Sequence, residues 1–413
     1  MNNKSGSLNP LRRATPLAVA LGVVWGVIAV CTVAVAVAFA SGDSLRPRLF
    51  QSAVLSAAVA AFAVFLPAPR RKTTVIPAAV IVSVVAVFTP LAPVVSAETG
   101  YAVRVIAAAL FAVLFAPPLA GMIEKLAPGK ISRHLMEDAI IRLLDAAGRL
   151  FFAAIVLIPF YVMVMTSLKS QHELLQNPLD FSIDLSEGVG LLRSYIELFR
   201  DFNFATYLWN SFYISVLTVV ITLLFSVPGA YAVARLRFRG QKTFARSILL
   251  IYMVPTIVLA LPIYIAFSAL ELRNTIQGLV IIYPVTTIPV ALYLLQGYFR
   301  GLPYEVEEAG LMDGLSRLQV IRKITLPLSL PAMVSVSLYV FMIAWNEFLL
   351  AFMLLDDPAR FTLTRGVASL NSSEVPRTHL MAGAVIATVP IMALFLALER
   401  FIARGLAAGA VKG

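Results

Sequence analysis

Apolar runs of about twenty residues, the length a helix needs to cross ~30 Å of hydrocarbon, recur along this chain from near its first residues to near its last. A water-soluble core of 413 residues would alternate apolar segments with polar surface, and 60% hydrophobic against 13% charged residues lies outside that class. The fold expected is therefore all-α, a polytopic membrane protein of about ten transmembrane helices. They are expected near 17–40, 49–66, 75–96, 102–123, 150–168, 208–234, 246–268, 277–298, 330–355 and 380–403. The first run is too long for a signal peptide and runs on without an obvious small-residue cleavage site, so it is expected to be retained.

The net charge of +11 does not point to nucleic acid, because the basic residues sit in short loops between apolar runs instead of on one water-exposed face. With the N-terminus placed inside, the inner segments hold 23 of the 33 Lys and Arg. That bias and an even helix count predict cytoplasmic N- and C-termini. Cys31 is the lone cysteine, which excludes an intrachain disulfide, and His134, His172 and His379 lack metal-ligand spacing. No metal site is expected.

Two regions differ in character. Residues 1–123 are rich in Ala and Val, nearly free of intramembrane polar groups, and read as an accessory transmembrane region of about four helices. Residues 124–149 are polar, and HLMEDAIIRLLDAAGRL within them has the spacing of an amphipathic helix lying on a membrane or a partner. The remainder, 150–413, is read as a six-helix transmembrane domain.

The cytoplasmic loop GLPYEVEEAGLMDGLSRLQVIRKITLPLSLP, residues 301–331, is too polar to span. Pro303 opens a helix, Glu305, Glu307 and Glu308 occupy its first turn where the dipole favours acids, and Gly314 breaks it. A second short helix is expected from Leu315 to Ile324, ended by Pro327.

Within this loop Glu308, Ala309 and Gly310, then Gly314, then Ile324, Leu326 and Pro327 stand at the spacing of the EAA signature, with Asp313 before Gly314. The segment resembles the permeases of bacterial ATP-binding-cassette importers, and their carbohydrate-uptake branch in particular. Gly310 in place of the second Ala is the one departure, small for small. The resemblance covers about residues 148–413. It extends to ARLRFRGQ after the sixth helix, to AWNEFLLAF from Ala344 to Phe352 and to the ending RFIARGLAAGAVKG, which look like the second, six-helix subunit of the maltose and glycerol-phosphate type.

The resemblance implies a type I importer permease core in the bacterial plasma (inner) membrane. It also implies a second permease subunit, two copies of a cytoplasmic ATPase holding ATP and Mg, an extracytoplasmic solute-binding protein and a carbohydrate substrate. The chain would itself be no enzyme and hold no cofactor. It has no GxxxxGK[ST] phosphate loop, since Gly129-Lys130 is followed by Ile131, so any ATP binds elsewhere. Glu308, Ala309, Gly310, Asp313, Gly314, Ile324, Leu326 and Pro327 would couple to the ATPase, the small residues allowing close approach and the acids giving charge-assisted contacts. Pro327 and Pro331, where the loop re-enters the ninth helix, would carry movement into that helix.

Trp345, Asn346, Glu347 and Phe348 in the ninth helix are substrate-pathway candidates: the amide and carboxylate suit sugar hydroxyls, and the rings suit a sugar face. They can equally bond neighbouring helices or gate the path. Asn210, Ser211, Pro255, Pro262, Pro284 and Pro289 are expected to shape helices. An ion-coupled secondary transporter using Glu347 is the alternative, and it calls for an inverted repeat that the chain does not show. The acid-bearing outer loop Lys169 to Tyr207, with Glu173, Asp180, Asp184, Glu187, Glu197 and Asp201, and the loop Asp356 to Thr378 suit either a solvated cap or a binding-protein contact.

Overall fold

In hydrocarbon an apolar segment has no water to satisfy its amides and carbonyls, so it closes on itself as a helix. The computed structural model describes residues 14–42, 45–95, 100–177, 182–183 and 185–410, and it is built of such helices. Asp180 and Asp184, named above, and Lys4, Arg12, Arg13 and Lys412, included in the charge count, lie outside the described residues. The chain parts into two units, Met1–Gly188 and Val189–Gly413.

Seven helices among the described residues are long and apolar enough to cross a membrane, against the ten or so expected. Three physical reasons account for the difference. The second helix, Leu49–Phe65, has 17 residues. The third, Ala68–Ala86, opens with Arg70, Arg71 and Lys72 and ends ten residues early, ahead of Pro90 and Pro93. The seventh is interrupted at Pro255, which lacks an amide donor and pushes Val254 out of the helical region.

The first unit holds α1 (Ala14–Ser41), α2 (Leu49–Phe65), α3 (Ala68–Ala86), α4 (Tyr101–Met122), α5 (Arg133–Ser167) and α6 (Gln171–Gln176). A two-residue antiparallel ladder pairs β1 (Arg46–Pro47) with β2 (Val94–Val95). Close approach of small residues joins α1 to α2. A Cβ on Gly26 would lie 1.9 Å from Ser56 Oγ, and one on Gly22 would lie 2.6 Å from Ala60 Cβ. Trp25, fully buried, donates its indole N–H to Phe115 O on α4 at 3.2 Å. Arg71 is buried without a carboxylate. Its guanidinium instead collects carbonyls that the ends of α2 and α4 leave over: Val64, Leu66, Ile123, Glu124 and Leu126.

Residues 133–149 and the expected fifth span form one helix, α5, started by Ser132 accepting from Leu135 N–H. Arg142 ties it to Gly121 O at 2.6 Å and to Glu124 at 3.0 Å, and Tyr161 donates to Phe39 O at 3.1 Å. These bonds tie α5 to α1 and α4, and the chain parts by contacts at Gly188.

In the second unit, α7 (Arg193–Asp201) leads into α8 (Phe204–Arg235), followed by α9 (Gln241–Tyr252), α10 (Thr256–Ala269), α11 (Ile276–Gly301), α12 (Tyr304–Met312) and α13 (Arg317–Val320). A π turn over Ile321–Thr325 joins α13 to α14 (Leu326–Asn346). Then come α15 (Leu349–Leu354), α16 (Leu363–Ser369) and α17 (Arg377–Ala410). α11 packs along α8 and α14 lies against both α8 and α17. Polar pairs are threaded through the α8–α11 seam: Thr222 and Thr287 hydroxyls meet at 2.7 Å, and Ser226 donates to Ile288 O at 3.3 Å.

Candidate functional site

The loop 301–331 folds as a short outward helix on a rigid base. Pro303 precedes α12, with Glu305 and Glu307 in its first turn, as the pattern predicts. Asp313 caps α12, and Gly314 takes φ +83°, a conformation strained for any side chain. Gly314 N–H bonds Leu311 O and Leu315 N–H bonds Gly310 O, both at 3.1 Å, the pairing of a Schellman termination.

The second helix departs from expectation. It is only Arg317–Val320, opened by a capping box in which Ser316 and Gln319 exchange bonds. Pro327 does not end it. The π turn absorbs that proline near the start of α14, so Arg317–Asn346 reads as one long helical run. Gly310 is buried on this run, where a Cβ would lie 2.6 Å from Ile324 Cδ1 and 3.3 Å from Val320 Cγ2. Leu326 is half-buried and Pro327 exposed. Glu308, Ala309, Met312, Asp313 and Gly314 are exposed at the tip, Met312 to 87%.

Beneath the tip lies a group that the sequence reading assigned only to a helix dipole. Glu307 is buried, accepting from Thr325 Oγ1 at 3.0 Å and from Tyr231 Oη at 3.2 Å. Arg235 Nε stands 3.5 Å from the same carboxylate, its side chain 1% exposed. Its guanidinium also donates to Leu302 O at 2.6 Å and sits 4.0 Å over the Tyr304 ring. The end of α8, the start of α12 and the π turn are thereby clamped at one point. The Arg-rich turn ARLRFRGQ held the signal, because Arg235 at the inner end of a span needs an acid partner once buried.

The four residues proposed for the substrate pathway come together at a break in the ninth helix and divide into two kinds. Trp345 is buried, stacked on Phe341 with centroids 5.6 Å apart, and donates to Ala387 O at 3.1 Å. Glu347 turns the chain out of α14. Its carboxylate accepts from Leu350 N–H at 2.7 Å and Ala351 N–H at 3.0 Å, capping α15. Its own carbonyl accepts from Thr364 at 2.7 Å. Both are tied into the fold, and Glu347's commitment to backbone amides gives the ion-site alternative no support. Asn346, which donates to Met342 O, and Phe348 remain exposed.

Asn210 and Ser211 shape structure, as expected. Asn210 donates to Ala359 O and Phe361 O at 3.2 and 3.0 Å, and Ser211 accepts from Leu363 N–H at 2.7 Å, pinning residues 359–363 onto α8. On α7, Glu197 bonds both Arg193 and His379 at 2.8 Å. The Arg193 guanidinium, and after it His379, hold its carboxyl below the ordinary value against the opposing effect of burial.

Residues 226–408 match the family described as binding-protein-dependent transport system inner membrane component. Over 269 residues the chain is 37% identical to the inner membrane ABC transporter permease protein YcjP of Escherichia coli (strain K12), covering 64% of this chain and 95% of that one. Over 283 residues it is 34% identical to the trehalose/maltose transport system permease protein MalG of Thermococcus litoralis, covering 68% of this chain and all of the relative. A crystal structure of a bacterial ABC transporter that imports the acidic polysaccharide alginate shares the fold, with a TM-score of 0.57 and 24% identity over 66% of this chain and 99% of that chain. With near-complete relatives matched above 30% identity, the chain belongs to the binding-protein-dependent inner-membrane permeases of ABC transporters.

Proposed function

We propose that the chain is one of two permease subunits of a carbohydrate importer, driven by two copies of a cytoplasmic ATPase that hold ATP and Mg and supplied by an extracytoplasmic solute-binding protein. Both termini face the cytoplasm of a bacterial cell whose plasma membrane holds the protein. Kinship with permeases named for trehalose and maltose transport supports the substrate class.

One observation carries the coupling role: an exposed tip, Glu308 to Gly314, stands on a clamped base that is continuous with a long helix. Small residues at the tip admit a partner surface closely, and Glu308 and Asp313 offer it charge-assisted contacts. Because Gly310 rests on Val320 and Ile324, displacement of the docked tip is delivered to the run carrying Leu326 and Pro327 and on to α14. Asn346 and Phe348, exposed at the break beyond α14, are in this reading the residues that meet the solute, with Trp345 and Glu347 holding the break in shape. The outer loops with Glu197 and with Asn210-pinned residues 359–363 form the face for the binding protein.

The test is purification of the tagged chain from native membranes, wild type against Gly314→Asp. Wild type should bring down a second permease and an ATPase, with ATP hydrolysis that Gly314→Asp loses, because Asp at φ +83° distorts the tip. A wild-type chain that purifies alone and moves solute without ATP would overturn the assignment.

A further inference from the structure

The first unit carries a cavity of about 710 Å³ between α1, α3, α4 and α5 that the transport reading does not use. Its volume falls within the roughly 300–1,000 Å³ of sites that take small molecules. The lining is divided by chemistry. One side presents Lys72, Arg142 and Arg149 with a single acid, Asp145. The other presents Trp25, Leu114, Pro117, Leu150 and Ala153.

The polar side is electropositive even when its neighbours are included. Lys72 lies 3.9 Å from Glu124, Arg142 bonds Glu124 and approaches Asp138, Lys125 bonds Asp138, and Arg149 bonds Asp145. Four cations thus face three carboxylates. Lys72 and Arg149 are exposed to 64% and 75%, so their ammonium and guanidinium groups can turn from Glu124 and Asp145 toward an incoming anion. Arg142, held to Gly121 O and Glu124, is the fixed member between them.

The apolar side opens inside the spans. Pro117 and Pro118 supply no amides, so the carbonyls of Val113 and Leu114 lose their intrahelical donors, and Leu114 lines the cavity. Such carbonyls favour a ligand that brings hydroxyl donors. Beyond Leu150, α5 exposes Phe151, Phe152 and Ala153, a surface suited to acyl chain. The cavity therefore sits at the depth where α4 ends and the cluster Lys125 to Arg149 begins, the level of lipid headgroups.

We propose that this cavity binds an acidic phospholipid, with its phosphate between Lys72, Arg142 and Arg149, its headgroup hydroxyls toward the freed carbonyls of α4, and its chains along α5. The site does not depend on the transport reading. The shared chemistry with a free anion is the phosphate, and only a lipid uses the apolar side.

Native mass spectrometry of the delipidated full-length protein, titrated with phosphatidylglycerol, phosphatidylcholine or inorganic phosphate, tests it. Wild type should retain phosphatidylglycerol over phosphatidylcholine, and Lys72→Gln with Arg149→Gln should weaken that retention by about fivefold for each cation removed. Asp145→Asn should strengthen it. Ala153→Trp, which fills the apolar side, should lose the lipid. Equal retention of the two lipids by wild type overturns the proposal, as does a correctly folded Gln double variant that retains phosphatidylglycerol as strongly as wild type. Phosphate displacing the lipid from wild type, with binding intact in Ala153→Trp, assigns a soluble anion instead and also overturns it. If the double variant does not fold, Asp145→Asn and Ala153→Trp decide.

Discussion

The two units solve the same problem of standing in a bilayer with opposite distributions of polarity. In the first, α1 to α4 meet through Gly22, Gly26, Ala60 and fully buried Phe111 and Phe115, and an ion-pair cluster gathers around Glu124, Asp138 and Arg142 beyond the end of α4. In the second, hydroxyls, an amide and a carboxylate run through the span helices from Asn210 to Glu347, and two spans are broken, at Pro255 and at Glu347. Intramembrane polar groups and broken helices are where a transport path has backbone and side chains to work with. The first unit has fewer such groups, chiefly the hydroxyls of Ser52, Ser56 and Ser83. The family match, residues 226–408, falls within the second unit.

The largest effect that would sharpen this contrast lies at the clamp. Glu307→Ala leaves the Arg235 guanidinium, 1% exposed, without its carboxylate, and removal of one partner from a buried ion pair costs about 3–5 kcal/mol. Thermal unfolding of the purified protein should fall accordingly, and ATP hydrolysis by the co-purified partner should uncouple from solute. In the first unit, Arg149→Ala removes an exposed pair with Asp145 and should change stability by less than about 1 kcal/mol. Similar losses at both positions would break the comparison, because ion pairing would then matter equally in both units.

A smaller effect tests the close-packed seam. Gly26→Val puts atoms where Ser56 Oγ already lies, 1.9 Å from the added Cβ, and overpacking of this kind costs about 1–3 kcal/mol. The expected outcome is a lowered melting temperature with ATP hydrolysis per assembled complex unchanged. Lost coupling in Gly26→Val would mean that the first unit takes part in the transport cycle.

Much of this was legible in the residues, and the failures have physical causes. Long apolar runs placed the helices, and Pro303, the acidic first turn and Gly314 placed α12, because each is a local preference written in adjacent residues. The breaks were not legible at Glu347, since a carboxylate in an apolar run reads as a buried ion until its bonds to Leu350 and Ala351 amides are seen. Pro327 was read as a helix end, yet the π turn before it accommodates the ring. Glu307 escaped notice because its partners, Tyr231, Arg235 and Thr325, stand 76, 72 and 18 positions away in the chain. The signal for the α1–α2 seam was present in GVVWG at 22–26, where two small residues four apart share a helix face.

The smallest effect concerns the contact between α7 and α17 in the second unit and carries a definite sign. Glu197 is held below the ordinary carboxylate value by its bond to Arg193 and then by His379, with burial opposing. A group whose folded value is depressed contributes stability that is fully present above its unfolded value and is lost as pH falls through the folded one. The link between α7 and the start of α17 should therefore hold at neutral pH and weaken in acid. Glu197→Gln keeps the shape of the side chain but removes the titration. Melting temperatures measured from neutral to acidic pH should start about 1–3 °C lower for the variant and converge with wild type in acid. The first unit offers a contrast at Glu124, also depressed, chiefly by Arg142, but 47% exposed against 22% for Glu197. Glu124→Gln should shift melting less than Glu197→Gln, because water screens the more exposed pair. A larger acid dependence from Glu124 than from Glu197 would place the pH-sensitive contacts of this protein in the first unit.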